Sequence, residues 1–274
     1  MEDKRKKFLY SILTVNLALI AVFVLLFSFY GPILAAIIFE NEIGLIAITI
    51  RILILSIMSF FLYRKWLRQE AVYISDAYFL FGSFFGIFTW AKVYDLFYNP
   101  AIVSGVLDTG FILLLVKIRF FIIIANLMPI LYLGLDAILV YINMNTNKEM
   151  KKKQFNTLRL RIIIIFVVIT LSVIVLGPTL DFLNLVFPFI TIISFVSIAF
   201  MFLFMYKNKR LSQANGLIIG IAFICFIASS LIRTVLISTN LYYSIIAEII
   251  DIGVNLLMFA GFITKPKYAR HARR

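Results

Sequence analysis

Apolar runs recur along almost the whole chain, each of the about 20 residues that a helix needs to cross a hydrocarbon core ~30 Å thick. Between them no polar stretch is large enough for a soluble domain. Hydrophobic residues make up 63% of the 274 and charged residues 14%, against ~45–50% and ~25% in ordinary globular chains. The expected fold is therefore an all-α polytopic integral membrane protein, one transmembrane helical domain over residues 1–274. A cytoplasmic catalytic or DNA-binding domain is excluded.

The formal net charge of +13 would point to nucleic acid in a soluble protein, but 21 of the 26 basic residues sit in a few turns. These are Lys4 to Lys7, Arg64 to Arg68, Lys148 to Arg161, Lys207 to Arg210, and Lys265 to Arg274. The alternate gaps carry Glu40, Glu42, Asp95, Asp108 and Asp181 and almost no basic residue. Lys and Arg are retained on the cytoplasmic side during insertion, so this alternation sets the threading and argues against nucleic acid as a partner. It gives eight crossings, near Phe8–Tyr30, Gly44–Tyr63, Val72–Tyr94, Phe120–Asn143, Leu160–Leu176, Leu183–Tyr206, Gly216–Ile237 and Tyr242–Ile263. Both termini are then cytoplasmic, and the expected location is the cell (plasma) membrane. The first run is too long for a cleaved signal peptide and is read as an anchor.

Asp108 to Asn143 is longer than one span needs and contains Lys117 and Arg119. It is read as an outer interfacial segment leading into a span, with both cations snorkelling to head groups. Tyrosines and tryptophan near predicted ends, among them Tyr10, Tyr30, Tyr63, Trp66, Tyr94, Tyr98 and Tyr206, are read as interface anchors. Pro129 is expected to kink the fourth span, and Gly177-Pro178 to end the fifth.

The basic loop Asn143–Arg161 divides the chain into candidate halves 1–147 and 148–274, each of four spans with the same polarity. Gly82-Ser-Phe-Phe-Gly86-Ile in the third span echoes Gly216-Leu-Ile-Ile-Gly220-Ile in the seventh. Glycines four apart let helices approach closely, so these four are expected at helix contacts.

Function is sought among ionisable groups inside the membrane, because each costs at least ~2.5–3.5 kcal/mol facing lipid and so faces protein or water. Arg51, Lys92, Arg233, Glu248 and Asp251 fall in the outer half, with Lys117 and Arg119 at its rim and Asp76 and Asp136 towards the cytoplasm. Ser244, Glu248, Asp251 and Asn255 recur at spacings of four, three and four, which sets them on one helix face. Arg233, across the last hairpin at similar depth, is positioned to bridge the acids. The same pattern serves a structural clamp or a ligand site. Five outer-half cations against two acids leave a surplus, so converging side chains would make a polar cup for an anionic or zwitterionic small molecule. Arg51, Lys92, Arg233, Glu248, Asp251 and Asn255 are its candidate lining.

Catalytic parts are missing. The one histidine, His271, lies in the basic tail and the one cysteine, Cys225, in mid-span, so neither a His/Cys metal centre nor a histidine-dependent nucleophile can be assembled. There is no P-loop. Asp95 and Asp136 thread to opposite sides and cannot share a proton as an aspartyl-protease pair does. Neither an enzyme nor a cofactor is expected.

The short basic turn Tyr206-Lys-Asn-Lys-Arg210, the span Gly216 to Arg233, and the last span ending Gly261-Phe-Ile-Thr-Lys265 give a layout that resembles the seven-to-eight-span membrane sensor modules of microbial receptors, including freestanding archaeal ones. The resemblance implies ligand sensing and, since no output domain follows, a signalling partner at the basic cytoplasmic face. Two other expectations stand beside it: a small-solute or ion transporter or channel of two four-span halves, with a transport partner, and a membrane assembly subunit.

Overall fold

The computed structural model describes residues 2–40, 42–145, 152–209, 211–239 and 243–271. Among them there is no strand, and eight long helices run in sequence: α1 (Glu2–Glu40), α2 (Glu42–Leu67), α3 (Ala77–Val103), α4 (Thr109–Asn145), α5 (Lys152–Leu176), α6 (Leu180–Lys207), α7 (Gly216–Thr239) and α8 (Tyr243–Ile263). A five-residue α9 (Lys267–His271) follows. Seven of them are long and apolar enough to cross a membrane. The chain is an all-α, multi-pass membrane protein.

The eighth long helix, α3, is long enough to cross at 27 residues but carries Ser83, Thr89, Lys92 and Asp95 among many aromatics. Its position explains this. It packs against α2, α4 and α1, and a helix shielded by protein need not be apolar all round. α2 and α6 show the reverse on their outward faces: Ile57, Phe60, Leu185, Phe189 and Ile193 are exposed on surfaces that only lipid suits.

α2 packs on α3, α3 on α4, α4 on α6, α6 on α7, α7 on α8, and α8 back on α2, a closed ring of six. Exchanging α2, α3 and α4 for α6, α7 and α8 maps these contacts onto one another. The glycines obey the same exchange. A Cβ on Gly82 or Gly86 would stand 3.1 Å from Tyr63 or Ser59 of α2, and one on Gly216 or Gly220 would meet Phe202 O at 2.5 Å or Leu203 at 2.6 Å on α6. Lipid offers no hydrophobic drive for helices to associate, so such close approach gains dispersion contacts instead. α1 and α5 break the exchange: both lie outside the ring, α1 on α2 and α3, α5 on α4 and α6.

Aromatic rings fill the half of the ring towards the α2–α3 turn. Phe81 stacks on Phe262 at 3.8 Å, and Phe84 of α3 meets Phe223 of α7. Below them Trp66 donates to Tyr73 O at 2.9 Å, Arg5 donates to the Gln69 and Glu70 carbonyls, and Asp76 caps α3 by accepting from Tyr78 N.

Several expectations from sequence need correction. Residues 109 to 145 form one continuous helix through Pro129, not an interfacial segment followed by a span. Trp66, Tyr94 and Tyr98 are buried helix contacts instead of interface anchors; Tyr94 donates to Leu115 O at 2.8 Å. Asp76 serves as a helix cap. Lys148, Lys151, Arg210, Tyr242 and the last three residues lie outside the described residues, as do the side chains of Asp136, Ser244 and His271.

Candidate functional site

At one end of the ring, five of its six helices place charged side chains towards the interior. On α8, Glu248 and Asp251 share a face and are 2% and 5% exposed. Arg51 of α2, 1% exposed, donates from Nη1 to Glu248 Oε2 at 2.7 Å and to Asp251 Oδ2 at 2.6 Å. Arg233 of α7 donates from Nη1 to Asp251 at 2.7 Å and from Nη2 to Glu248 Oε1. Each acid thus holds two guanidinium groups, one from either side. The hairpin pairing expected from depth is present, and a third helix joins it.

A second group forms on α3 and α4. Lys92 donates to Asp95 Oδ2 at 2.7 Å, and Arg119 Nε donates to Asp95 Oδ1 at 3.1 Å. Asp95 lies eight residues before the end of α3 and is buried. Sequence threading, which ended that span at Tyr94, had set Asp95 near the loop; the longer helix brings it into the bundle. The two groups are within Coulombic reach, Lys92 sensing Arg51, Arg233 and Glu248, and Arg233 sensing Asp95. Aromatic faces support the cations: Arg51 sits 5.2 Å over Phe88, and Arg119 4.5 Å over Tyr98.

Arg51, Lys92, Arg119 and Arg233 face Asp95, Glu248 and Asp251, so four cations meet three carboxylates and one positive charge is left over. Removing ions from water costs several kcal/mol each, recovered only when each has good partners. That cost is kept low where the cluster reaches its rim: the side chains of Arg233 and Arg119 are 20% and 35% exposed, whereas the rest are sealed. Lys117 stands apart, half-buried and donating to Val175 O at 3.0 Å on α5.

Asn255 continues the α8 face one turn deeper. It is 0% exposed, and neither amide atom has a hydrogen-bond partner. Arg51 Nε and Asn126 Oδ1 are also buried without partners. Sequence reading placed Asn255 in the site but missed Asn126, which lies on α4 seven residues after Arg119, two turns along the same face. An open cleft of about 480 Å³ between α1 and α3, lined by Phe23, Phe27, Ser28 and Trp90, contains no charged group. Among the described residues no three His, Cys, Asp or Glu side chains lie together as metal ligands would.

The chain matches no known protein family model, no curated protein and no solved structure. Any functional assignment therefore rests on the geometry.

Proposed function

We propose that the protein is a polytopic membrane sensor of receptor type, which binds a small anionic molecule at the charge cluster in the outer half of the bundle. The observation that supports it is the surplus: four basic and three acidic side chains from five helices come together inside a bilayer, a formal excess of one positive charge. A purely structural network could be neutral, and apolar packing in its place would hold the helices together at no loss of stability. An anion entering past Arg233 or Arg119 would complete the balance. It would also change the partners of Arg51, which bonds α2 to α8, and so alter how the two three-helix sets of the ring meet. A signalling partner at the basic cytoplasmic face would read that change.

The test is direct binding. Purified protein in nanodiscs is titrated with a panel of small anions beside the Arg233→Ala variant, and the wild type binds at least tenfold more tightly. Equal binding removes Arg233 from the site.

One observation favours a transporter as the second reading. The ring contacts exchange under a two-fold relation, and the Arg51 pairs join one three-helix set to the other, as a gate between rocking halves would. Flux of the bound anion into liposomes separates the two, since a sensor moves nothing.

A further inference from the structure

Arg51 does not use its best edge. Both acids are held by Nη1, while Nε is buried without an acceptor. The Nε and Nη2 hydrogens form a planar fork that matches the two oxygens of a carboxylate. In a side chain 1% exposed, an Nε without an acceptor forgoes a hydrogen bond it cannot make to water. One turn below Asp251, on the face against which Arg51 packs, Asn255 is sealed with a free donor and a free acceptor. A helical side chain points back towards the N-terminus. Asn255 therefore leans towards the layer of Asp251, and the Arg51 stem leans outward from below its own head group. Two unpaired groups, one on each helix, thus neighbour Asp251.

Resting on the reading above, we infer that the Nε edge of Arg51 and the Asn255 amide seat the carboxylate of a singly charged ligand whose remainder is uncharged. One unit of surplus charge fits a monocarboxylate. A dianion would overfill it, and a zwitterion would leave it unbalanced. The neighbouring surface is aromatic, with Phe88 beneath Arg51 and Phe226 beside Phe88, so the rest of the ligand meets rings and no counter-ion. Asn255 is fully enclosed, so seating the ligand requires α8 to part from α2 at this level. That parting is the movement a receptor would transmit.

Asn255→Leu is close to isosteric and leaves all seven charges in place. Full-length protein in nanodiscs is heated with and without acetate, benzoate and octanoate, each beside sulfate and neutral benzamide. For the wild type, at least one monocarboxylate raises Tm in a dose-dependent way, and benzamide and sulfate do not. Asn255→Leu raises the ligand-free Tm, because two unpaired polar atoms are removed, and weakens carboxylate binding at least tenfold. Asn255→Ser, which keeps a polar atom but shortens it, binds with intermediate affinity. Undiminished binding by Asn255→Leu, together with loss in Arg233→Ala, overturns this seat and leaves the anion-binding reading standing. No anion binding by the wild type overturns both. A fall in ligand-free Tm with unchanged affinity assigns Asn255 a packing role and also overturns the seat.

Discussion

Arg51 on α2 and Asp251 on α8 are 200 residues apart in the chain and 2.6 Å apart at their charged atoms. The contact closes the ring, because α2 and α8 are the first and last of its six helices. Glu248, three residues before Asp251, shares the same guanidinium at 2.7 Å.

Removing Arg51 alone strands two buried carboxylates on the single guanidinium of Arg233. Arg51→Leu is expected to destabilise the bundle by roughly 3–5 kcal/mol, the usual cost of breaking a buried ion pair from one side. Adding Glu248→Leu and Asp251→Leu restores most of the loss, because Arg233 is on the rim and can reach water. Unfolding in graded detergent denaturant measures both. A triple variant no more stable than Arg51→Leu would show that the charges also carry packing that leucines cannot replace.

The surplus charge gives a prediction of opposite signs at two adjacent positions. Lys92→Met leaves three cations on three acids, and anion binding is lost while Asp95 keeps Arg119 at 3.1 Å. Asp95→Asn leaves four cations on two acids, and sulfate gains affinity relative to monocarboxylates. Competition titration reads the ratio. If both substitutions shift selectivity the same way, charge balance does not govern the site.

The α8 acids and Arg233 were legible from sequence because helical spacing and hairpin depth are local properties: spacings of three and four define a face, and the turn fixes which residues are level. Gly216 and Gly220 were legible for the same reason. Arg51 could be picked out as an expensive group, but its pairing with α8 spans the whole chain, and no periodicity encodes which helix closes a ring. Asp95 was misplaced because α3 continues past Tyr94 through a stretch in which Asp95 and Tyr98 face protein. Hydropathy treats a protein-facing surface as if it were loop, and the same confusion made buried Trp66 and Tyr98 look like interface anchors.

Glycine contacts differ in what they tolerate. A Cβ on Gly216 meets the Phe202 carbonyl at 2.5 Å, backbone that cannot swing away, so Gly216→Ala forces α6 and α7 apart. The expected cost is about 1–3 kcal/mol, typical of overpacking. Gly253 has nothing within 4 Å of its added Cβ and faces outward from α8. Gly253→Ala is expected to stabilise by about 0.5–1 kcal/mol through backbone entropy alone. The pair is compared by thermal unfolding in one detergent, and equal shifts would mean that the α6–α7 spacing is not set by that glycine.

The side of the membrane on which the cluster lies is set by the threading, and single cysteines test it. Cys225 is the chain's one cysteine, so Cys225→Ser gives a clean background. Val106, between α3 and α4, is exposed at the same end as Lys92, Asp95 and Arg119, while Glu70, between α2 and α3, is exposed at the other. In intact cells Val106→Cys is expected to react with an impermeant maleimide, and Glu70→Cys only after permeabilisation, because Arg64, Lys65 and Arg68 hold that turn inside. Reversed labelling would turn the cluster towards the cytosol and make its ligand an intracellular one. Labelling of both from the same side would mean that α3 does not cross the bilayer, and the ring of six could not then stand upright in it.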